Sequence, residues 1–227
     1  MNEKQVLTLK SSKFVLKVPP PWELKGEGIL VLFRFSKDWI QEKSGLSEEM
    51  KAKFRGGFGY VMFVNYEESP VGPYREVLFI PGRFRKKRHQ VISRIVVDSE
   101  TSTRNGQENW GIPKETLPIT WVKEKNRDLI QVQHSGKTVF SAEVSHGGIS
   151  FPLSTALMPI SLCQSWKGVK YYTKPTGYGW AKFAKLKQVE LDPNLFPDIR
   201  GVQPLMAVRV SPFTMNFPEP YFKDELP

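Results

Sequence analysis

A single cysteine, Cys163, stands among 227 residues, and one thiol cannot close an intrachain disulfide. The fold must therefore rest on its core, and the expected compartment is a reducing one, the cytoplasm. Histidine is nearly as scarce. His89, His134 and His146 share no metal-ligand spacing with Cys163 or with one another, so no metal is expected. Long apolar runs are missing too: the longest, Ile29–Phe33, is stopped by Arg34, far short of the roughly 18 to 20 residues of a membrane-spanning helix. The opening MNEKQVLTLKSSKFVLKV has no unbroken apolar segment of the signal-peptide kind. No membrane partner is expected.

Several catalytic signatures are also absent. His134-Ser135-Gly136-Lys137-Thr138 ends like a phosphate-binding loop, but Gln131 occupies the place of the required earlier glycine, and the segment reads as a hairpin. Gly56-Gly57-Phe58-Gly59 lacks dinucleotide-binding spacing and precedes a strand instead of opening a helix. No G-x-S-x-G elbow occurs. The Lys-Asp-Glu-Leu near the end is followed by Pro227 and so does not present a retrieval signal's free carboxyl end.

Acidic residues are in deficit, 23 against 33 Lys and Arg, for a formal charge of +10. Five cations crowd Arg83–Arg88, which reads as a charged hairpin tip, and the stretch Val144–Val189 has six lysines and no Asp or Glu. That second region also carries Trp166, Tyr171, Tyr172, Tyr178, Trp180 and Phe183. Cations interleaved with rings can form a single-strand nucleic-acid surface. Strand alternation explains the same pattern if the rings face inward and the lysines outward, and on that reading no specific nucleic-acid partner is expected.

Apolar runs of strand length dominate, at about 28–35, 58–66, 74–80, 90–98, 119–123, 129–134, 138–145, 167–172, 179–191 and 205–211. Helix signals are few: Ser36 before Trp39 and Ile40, Ser47 before 48–54, and 99–109 ended by Gly111-Ile112-Pro113. No βαβ series, repeat or linker is apparent. The pattern predicts a mainly β chain, an antiparallel sheet or barrel with a few short helices, in one domain over 1–227.

Four segments carry more specific information: Pro73-Tyr74-Arg75-Glu76, Val97-Asp98, Gly106-Gln107-Glu108 and Gly111-Ile112-Pro113-Lys114. In this order and at these spacings they resemble the P-Y-x-E strand start, V-D strand end, G-R-E-like helix and G-x-P-K turn of the acetoacetate decarboxylase superfamily. The resemblance runs from about residue 57 to 118. It implies a β-barrel or cone whose interior pocket holds Lys114 as a Schiff-base lysine and Glu76 as the glutamate that positions substrate or moves protons. Tyr74, Glu108, Trp110 and Glu115 are implied as substrate-binding neighbours. A small oxo acid is the implied substrate, no cofactor is needed because the imine is the electron sink, and a homo-oligomer is implied. Decarboxylation is the nearest family activity; aldol chemistry or dehydration of an oxo acid uses the same imine. The reading from another class is a non-catalytic binding protein of the same fold.

A lysine attacks a carbonyl only when neutral, which requires an apolar setting or a nearby cation; acetoacetate decarboxylase is itself the standard case. Trp110, Ile112, Pro113, Leu117 and Pro118 are the expected apolar setting. The family's P-K-K reads Pro113-Lys114-Glu115 here, replacing the second cation by a carboxylate that would raise the pKa of Lys114 if close. The family's second pocket glutamate falls on Val61, fifteen residues before Glu76. Its N-terminal pocket arginine falls near Gly26, with Lys25 and Arg34 as neighbouring cations.

Overall fold

The computed structural model describes residues 16–54, 56–84, 89–157 and 159–222. The elements are β1 (Trp22–Phe35), α1 (Lys37–Lys43), α2 (Glu48–Lys51), β2 (Gly57–Glu68), β3 (Tyr74–Ile80), β4 (Arg94–Val97), α3 (Glu100–Trp110), β5 (Lys114–Thr116) and β6 (Ile119–Glu124). They continue with β7 (Arg127–His134), β8 (Lys137–Ser154), β9 (Leu162–Trp166), β10 (Val169–Thr173), β11 (Thr176–Leu191) and β12 (Pro204–Phe217). All but β9 and β10 join one sheet in the order β5-β4-β3-β2-β1-β12-β11-β8-β7-β6, while β9 and β10 form a separate hairpin. Every pairing in the large sheet is antiparallel except β4 with β5, which are parallel and joined by α3. A parallel pair needs such a crossover because a tight turn can only reverse the chain.

The sheet curls into a half-barrel. Although β3 and β8 stand five places apart in strand order, Phe79 of β3 and Phe140 of β8 meet edge to face at 6.0 Å. Alternation along each strand then separates two cores. Val77 and Phe79 face the enclosed side with Ile29, Val31, Phe63 and Phe140. Tyr74, Leu78 and Ile80 face the outer side with Trp22, Ile95 and Trp110. Burying side chains of this size stabilises by about 1.5–3 kcal/mol apiece, so both faces of the central strands are committed to packing.

The helix starts follow the capping residues. The hydroxyls of Ser36, Ser47 and Ser99 accept from the backbone N–H groups of Trp39, Met50 and Ser102, each satisfying a donor that the first turn leaves unpaired. The helix expected after Ser47 is cut to four residues, Glu48–Lys51. Gly111, with φ of 63°, ends α3 in the left-handed conformation.

Several sequence expectations are corrected. The strand expected over 90–98 is regular only at Arg94–Val97, because Gln90 instead bridges Arg83 and Leu162. β8 runs on through Gly147, Gly148 and Pro152 to Ser154, held by β11 across register shifts. β5 and β9 were not legible as strands. The rings of β11 do not all turn inward: Trp180 and Phe183 are 54% and 61% exposed, and Tyr178 is exposed as well. The outer halves of β8 and β11 carry little over them, so alternation does not select an inside there. Of the cationic cluster, 85–88 lie outside the described residues; on its flanks, Arg83 bridges Gln90 and the Phe84 N–H donates to the His89 carbonyl. No helix among the described residues is long and apolar enough to cross a membrane.

A polar cluster closes one end of the enclosed core. Arg209 of β12 donates to Glu27 of β1 at 2.7 Å and to Asp128 of β7 at 2.9 Å. Lys123 and Asn65 also donate to Glu27, at 2.7 and 3.3 Å, and the Trp121 indole donates to Asp128 at 2.9 Å. Burial raises the Glu27 carboxyl, but Lys123 and Arg209 outweigh it and hold it below its ordinary range. His146 lies 3.2 Å from Asp128. Its desolvation, with Arg209 and Lys182 nearby, keeps its pKa below the ordinary histidine value despite Asp128.

Candidate active site

Lys114 opens β5 next to Ile95 of β4, and the alternation that puts Ile95 in the outer core turns the lysine the same way. It is 7% exposed. Its ammonium donates to Glu76 Oε2 at 3.2 Å and to Ser102 Oγ at 3.0 Å, and Nζ lies 4.9 Å from the centre of the Tyr74 ring. Glu76, 5% exposed on β3, accepts from the Tyr66 hydroxyl at 3.4 Å. A cavity of about 60 Å³ opens over this pair, walled by Trp22, Met62, Val64, Leu78, Trp110 and Ile112 among others.

α3 is what lets the lysine in. A Cβ on Gly106 would stand 2.7 Å from Lys114 Cδ and 2.9 Å from Cε, so only glycine leaves the aliphatic stem room to cross the helix. One residue on, the Gln107 amide donates to the Lys114 carbonyl at 2.8 Å. One turn back, Ser102 meets the ammonium. The helix is tied to distant chain by Asn105, which accepts from Val18 N–H at 2.7 Å, and by the Trp110 indole, which donates to the Pro218 carbonyl at 2.8 Å. Trp22 packs edge to face on Trp110 at 4.9 Å.

Electrostatics here differ from those of a simple apolar lysine pocket. Burial pushes the Lys114 pKa down, but Tyr74 and Glu76 press the other way and the net shift is upward. The resting amine is an ammonium. Burial lifts the Tyr66 phenol well above its ordinary value, reinforced by Glu76, and burial also raises Tyr74, so both rings are neutral hydroxyl carriers. A buried ion pair is weak evidence for stability because desolvation offsets attraction; a lysine and a carboxylate facing an apolar cavity are the usual mark of a site that moves protons.

The residues expected from sequence divide. Lys114, Glu76, Tyr74 and Trp110 all wall the cavity. Glu115 does not: as the next strand residue it turns to the other face, where it pairs with Arg94. Glu108 lies on the exposed side of α3. Neither residue lines this cavity, and the reason is periodicity in both cases. Of the expected apolar setting, Ile112 lines the cavity, whereas Leu117 belongs to the enclosed core and Pro118 is exposed. The lysine and glutamate sit outside the half-barrel's enclosed side, not within it.

Sequence reasoning missed Ser102 and Tyr66. Ser102 was detectable one helical turn before the Gly106 that the lysine crosses; Tyr66 required the β2–β3 register, which pairs it with Tyr74. The same register moves the question of a second carboxylate. Val61 faces the enclosed core, and the β2 residues at the cavity are Met62, Val64 and Tyr66. Gly26 cannot be an arginine position, since a Cβ there would meet the Asn65 carbonyl oxygen at 2.1 Å. Lys25 pairs with Glu68 and Glu23 at the surface. Lys114 is thus the one cationic side chain in the cavity wall among the described residues. No group of three or more His, Cys, Asp and Glu among them is placed to hold a metal ion.

Because Glu115 faces away, Glu115→Lys is expected to leave the pH midpoint of Lys114 reactivity unchanged, as measured by the pH dependence of borohydride trapping with a ketone. Its expected effect is on stability, a loss of about 0.5 kcal/mol from the partly exposed pair with Arg94, read from a denaturant midpoint.

Fold and site together define a class: a curled antiparallel sheet carrying a buried lysine–glutamate pair under a crossover helix. The family model "Acetoacetate decarboxylase (ADC)" matches residues 8–186, and the chain belongs to that family. Among solved structures it is similar to an acetoacetate decarboxylase from Legionella pneumophila, at 13% identity and a TM-score of 0.68 over 96% of this chain and 93% of that one. It is similar to the enduracididine biosynthesis enzyme MppR, at 16% identity and a TM-score of 0.65 over 95% and 92%. An acetoacetate decarboxylase-like enzyme from Sphingomonas wittichii RW1 matches at 12% identity and a TM-score of 0.65 over 99% and 100%. No curated protein matches the chain in sequence.

Proposed function

We propose that this protein is an enzyme that forms an imine between Lys114 and the ketone of an oxo acid, and that it decarboxylates that acid or carries out a related aldol or dehydration step. The observation that carries this reading is the Lys114–Glu76 contact of 3.2 Å at the floor of an apolar cavity. One structural relative binds such a compound: MppR is complexed with pyruvate in one structure and with the condensation product of pyruvate and imidazole 4-carboxaldehyde in another.

The resting ammonium must first lose a proton, and Glu76 is the acceptor in contact. That transfer leaves a neutral amine free to attack the ketone. The amine nitrogen adds to the carbonyl carbon, and the resulting carbinolamine expels its oxygen as water, taking a proton from the Glu76 carboxyl. In the protonated imine of a 3-oxo acid the electrons of the carbon–carbon bond to the carboxylate move toward nitrogen, carbon dioxide leaves, and an enamine remains. A proton from water, relayed by the Glu76 carboxylate, reaches the enamine carbon, and hydrolysis of the imine then regenerates Lys114. Ser102 and Tyr66 hold the amine and the carboxylate in line for these transfers.

The direct test is borohydride reduction in the presence of 3-oxo and 2-oxo acids, followed by mass spectrometry of the Lys114 peptide. An adduct on Lys114 of the substrate plus two hydrogens and less one molecule of water is expected. No adduct with any oxo acid assigns the cavity to ligand binding without catalysis.

Glu76→Gln separates the two roles of the carboxylate. Without it, burial dominates and the Lys114 pKa falls, by about one unit or more for loss of a close opposite charge, so the trapping midpoint moves to lower pH and the neutral amine fraction rises about tenfold. Turnover is expected to drop by about a hundredfold, because the proton carrier is gone. A midpoint that stays in place, measured by trapping across pH, contradicts the assigned ion pair.

A further inference from the structure

A second apolar hollow of about 110 Å³ adjoins the cavity over Lys114, and Met62, Val64, Ile160 and Met215 line both. Beyond these shared residues its walls include Leu30, Tyr60, Leu153, Val210 and Phe213, and none of its lining residues carries a charge. A short oxo acid would fill the lysine end and leave this extension without an occupant.

We propose that the substrate is a ketone carried on an extended unbranched alkyl chain, with its carbonyl at Lys114 and its tail along the trench between β2, β1, β12 and β8. This rests on the imine reading for the carbonyl end. Three observations favour a tail of this chemistry as the occupant. The trench shares four wall residues with the cavity that takes the reacting carbon. Its lining offers no charge to a polar or anionic tail. Lys114 is the one cation in the cavity wall among the described residues and is already paired with Glu76, so no second cation is placed for a distal carboxylate. Two sources share this chemistry, a 3-oxo acid of medium chain length and the methyl ketone that its decarboxylation leaves. The class of reaction that supplies such a substrate is chain elongation or oxidation of a fatty acyl chain, and the product is one carbon shorter.

The test uses the full chain and two homologous series, 3-oxo acids and 2-alkanones of four, eight and twelve carbons. Binding is followed by the fluorescence of Trp22 and Trp110, which line the cavity, in wild type and in Lys114→Met, and imine formation by borohydride trapping in wild type. Affinity is expected to rise about threefold to fourfold per added methylene, as for burial of a methylene, until the trench is full, in both proteins. Leu30→Trp, which fills the trench away from the lysine, is expected to flatten that dependence while leaving trapping of 2-butanone within twofold. Affinity independent of chain length in wild type overturns the proposal whether or not Leu30→Trp folds, and assigns the trench to another segment or a second copy of the chain. Trapping at every length without length dependence keeps the imine and removes the tail site; length-dependent binding without trapping keeps the tail site and removes the imine. A 2-alkanone that binds as tightly as the 3-oxo acid of the same alkyl length places all the recognition in the tail.

Discussion

Lys114→Met is expected to abolish borohydride trapping and to lower any decarboxylation of oxo acids by at least about 10³-fold, because the proposed mechanism runs through a covalent bond to this amine and the described cavity wall holds no other. Methionine keeps the length and apolar character of the stem, so the packing against α3 survives and the loss reports chemistry. A companion change shows that position matters as well as presence. Gly106→Ala puts a Cβ at 2.7 Å from Lys114 Cδ, and the lysine stem must shift to relieve it. That shift breaks the contacts of 3.2 and 3.0 Å to Glu76 and Ser102. Displacements of about 1 Å at a reacting group commonly cost about a hundredfold, and a loss of that size in trapping rate is expected with the lysine still present. Trapping at wild-type rate in Gly106→Ala would show that the amine reacts from another position. Trapping that persists in Lys114→Met would move the chemistry to a different lysine.

The second large effect lies far from the site. Arg209→Met is expected to destabilise the protein by about 3–5 kcal/mol, the cost of leaving a buried charge without its partner. The Asp128 side chain has no exposed surface and that of Glu27 has 7%, while Arg209 spans both. Lys123, the remaining cation at Glu27, is 48% exposed and is the weaker substitute. The loss is read as a lowered denaturant midpoint at pH 8. Its pH dependence carries a sign that a packing defect would not have. In the wild type, His146 has a depressed pKa, so its share of stability is complete above the ordinary histidine value and is lost as pH falls through the folded value. Desolvation is the main cause, joined by Arg209 and Lys182 and opposed by Asp128 and Glu27. Removing Arg209 raises the His146 pKa, and the protonated ring at 3.2 Å then supplies a cation to Asp128. The deficit of Arg209→Met is therefore expected to shrink between pH 8 and pH 5.5. A deficit that stays constant over that range would assign the role of Arg209 to packing alone.

Much of the local structure was written in short-range signals. Ser36, Ser47 and Ser99 each precede a helix that starts on their hydroxyl, because a side-chain acceptor one turn from an unpaired N–H acts within four residues. The strand runs of β2, β3, β7 and β11 were visible because alternation is a property of neighbouring residues. Lys114 and Glu76 were legible through the motifs around them, and the structure gives those motifs physical content. Gly106 clears a path for the lysine, Gln107 holds its carbonyl, and Asp98 accepts from the Arg75 N–H at 2.6 Å and so links the end of β4 to the start of β3.

What stayed hidden depended on pairings that no local pattern encodes. β5 is three residues long, too short to display a period, so nothing in Pro113-Lys114-Glu115 told which of two adjacent charged residues would face the cavity. Docking beside β4 decided it. The Trp180 and Phe183 rings obey an alternation that has an inside only where another layer covers the strand. Glu27 and Arg209, 182 positions apart, meet because β1 and β12 pair side by side, and the curl of the sheet brings Asp128 of β7 to the same end of the core. By itself the sequence determined most of the strands and the helix caps, which follow from residue type and spacing over a few positions, while Lys114 and Glu76 were reached through the family motifs around them. Only the tertiary structure decided that the pair lies on the outer face of the half-barrel, that Glu115 turns away from it, and that an uncharged trench adjoins its cavity, because strand register and sheet curvature determine which side chains share a wall.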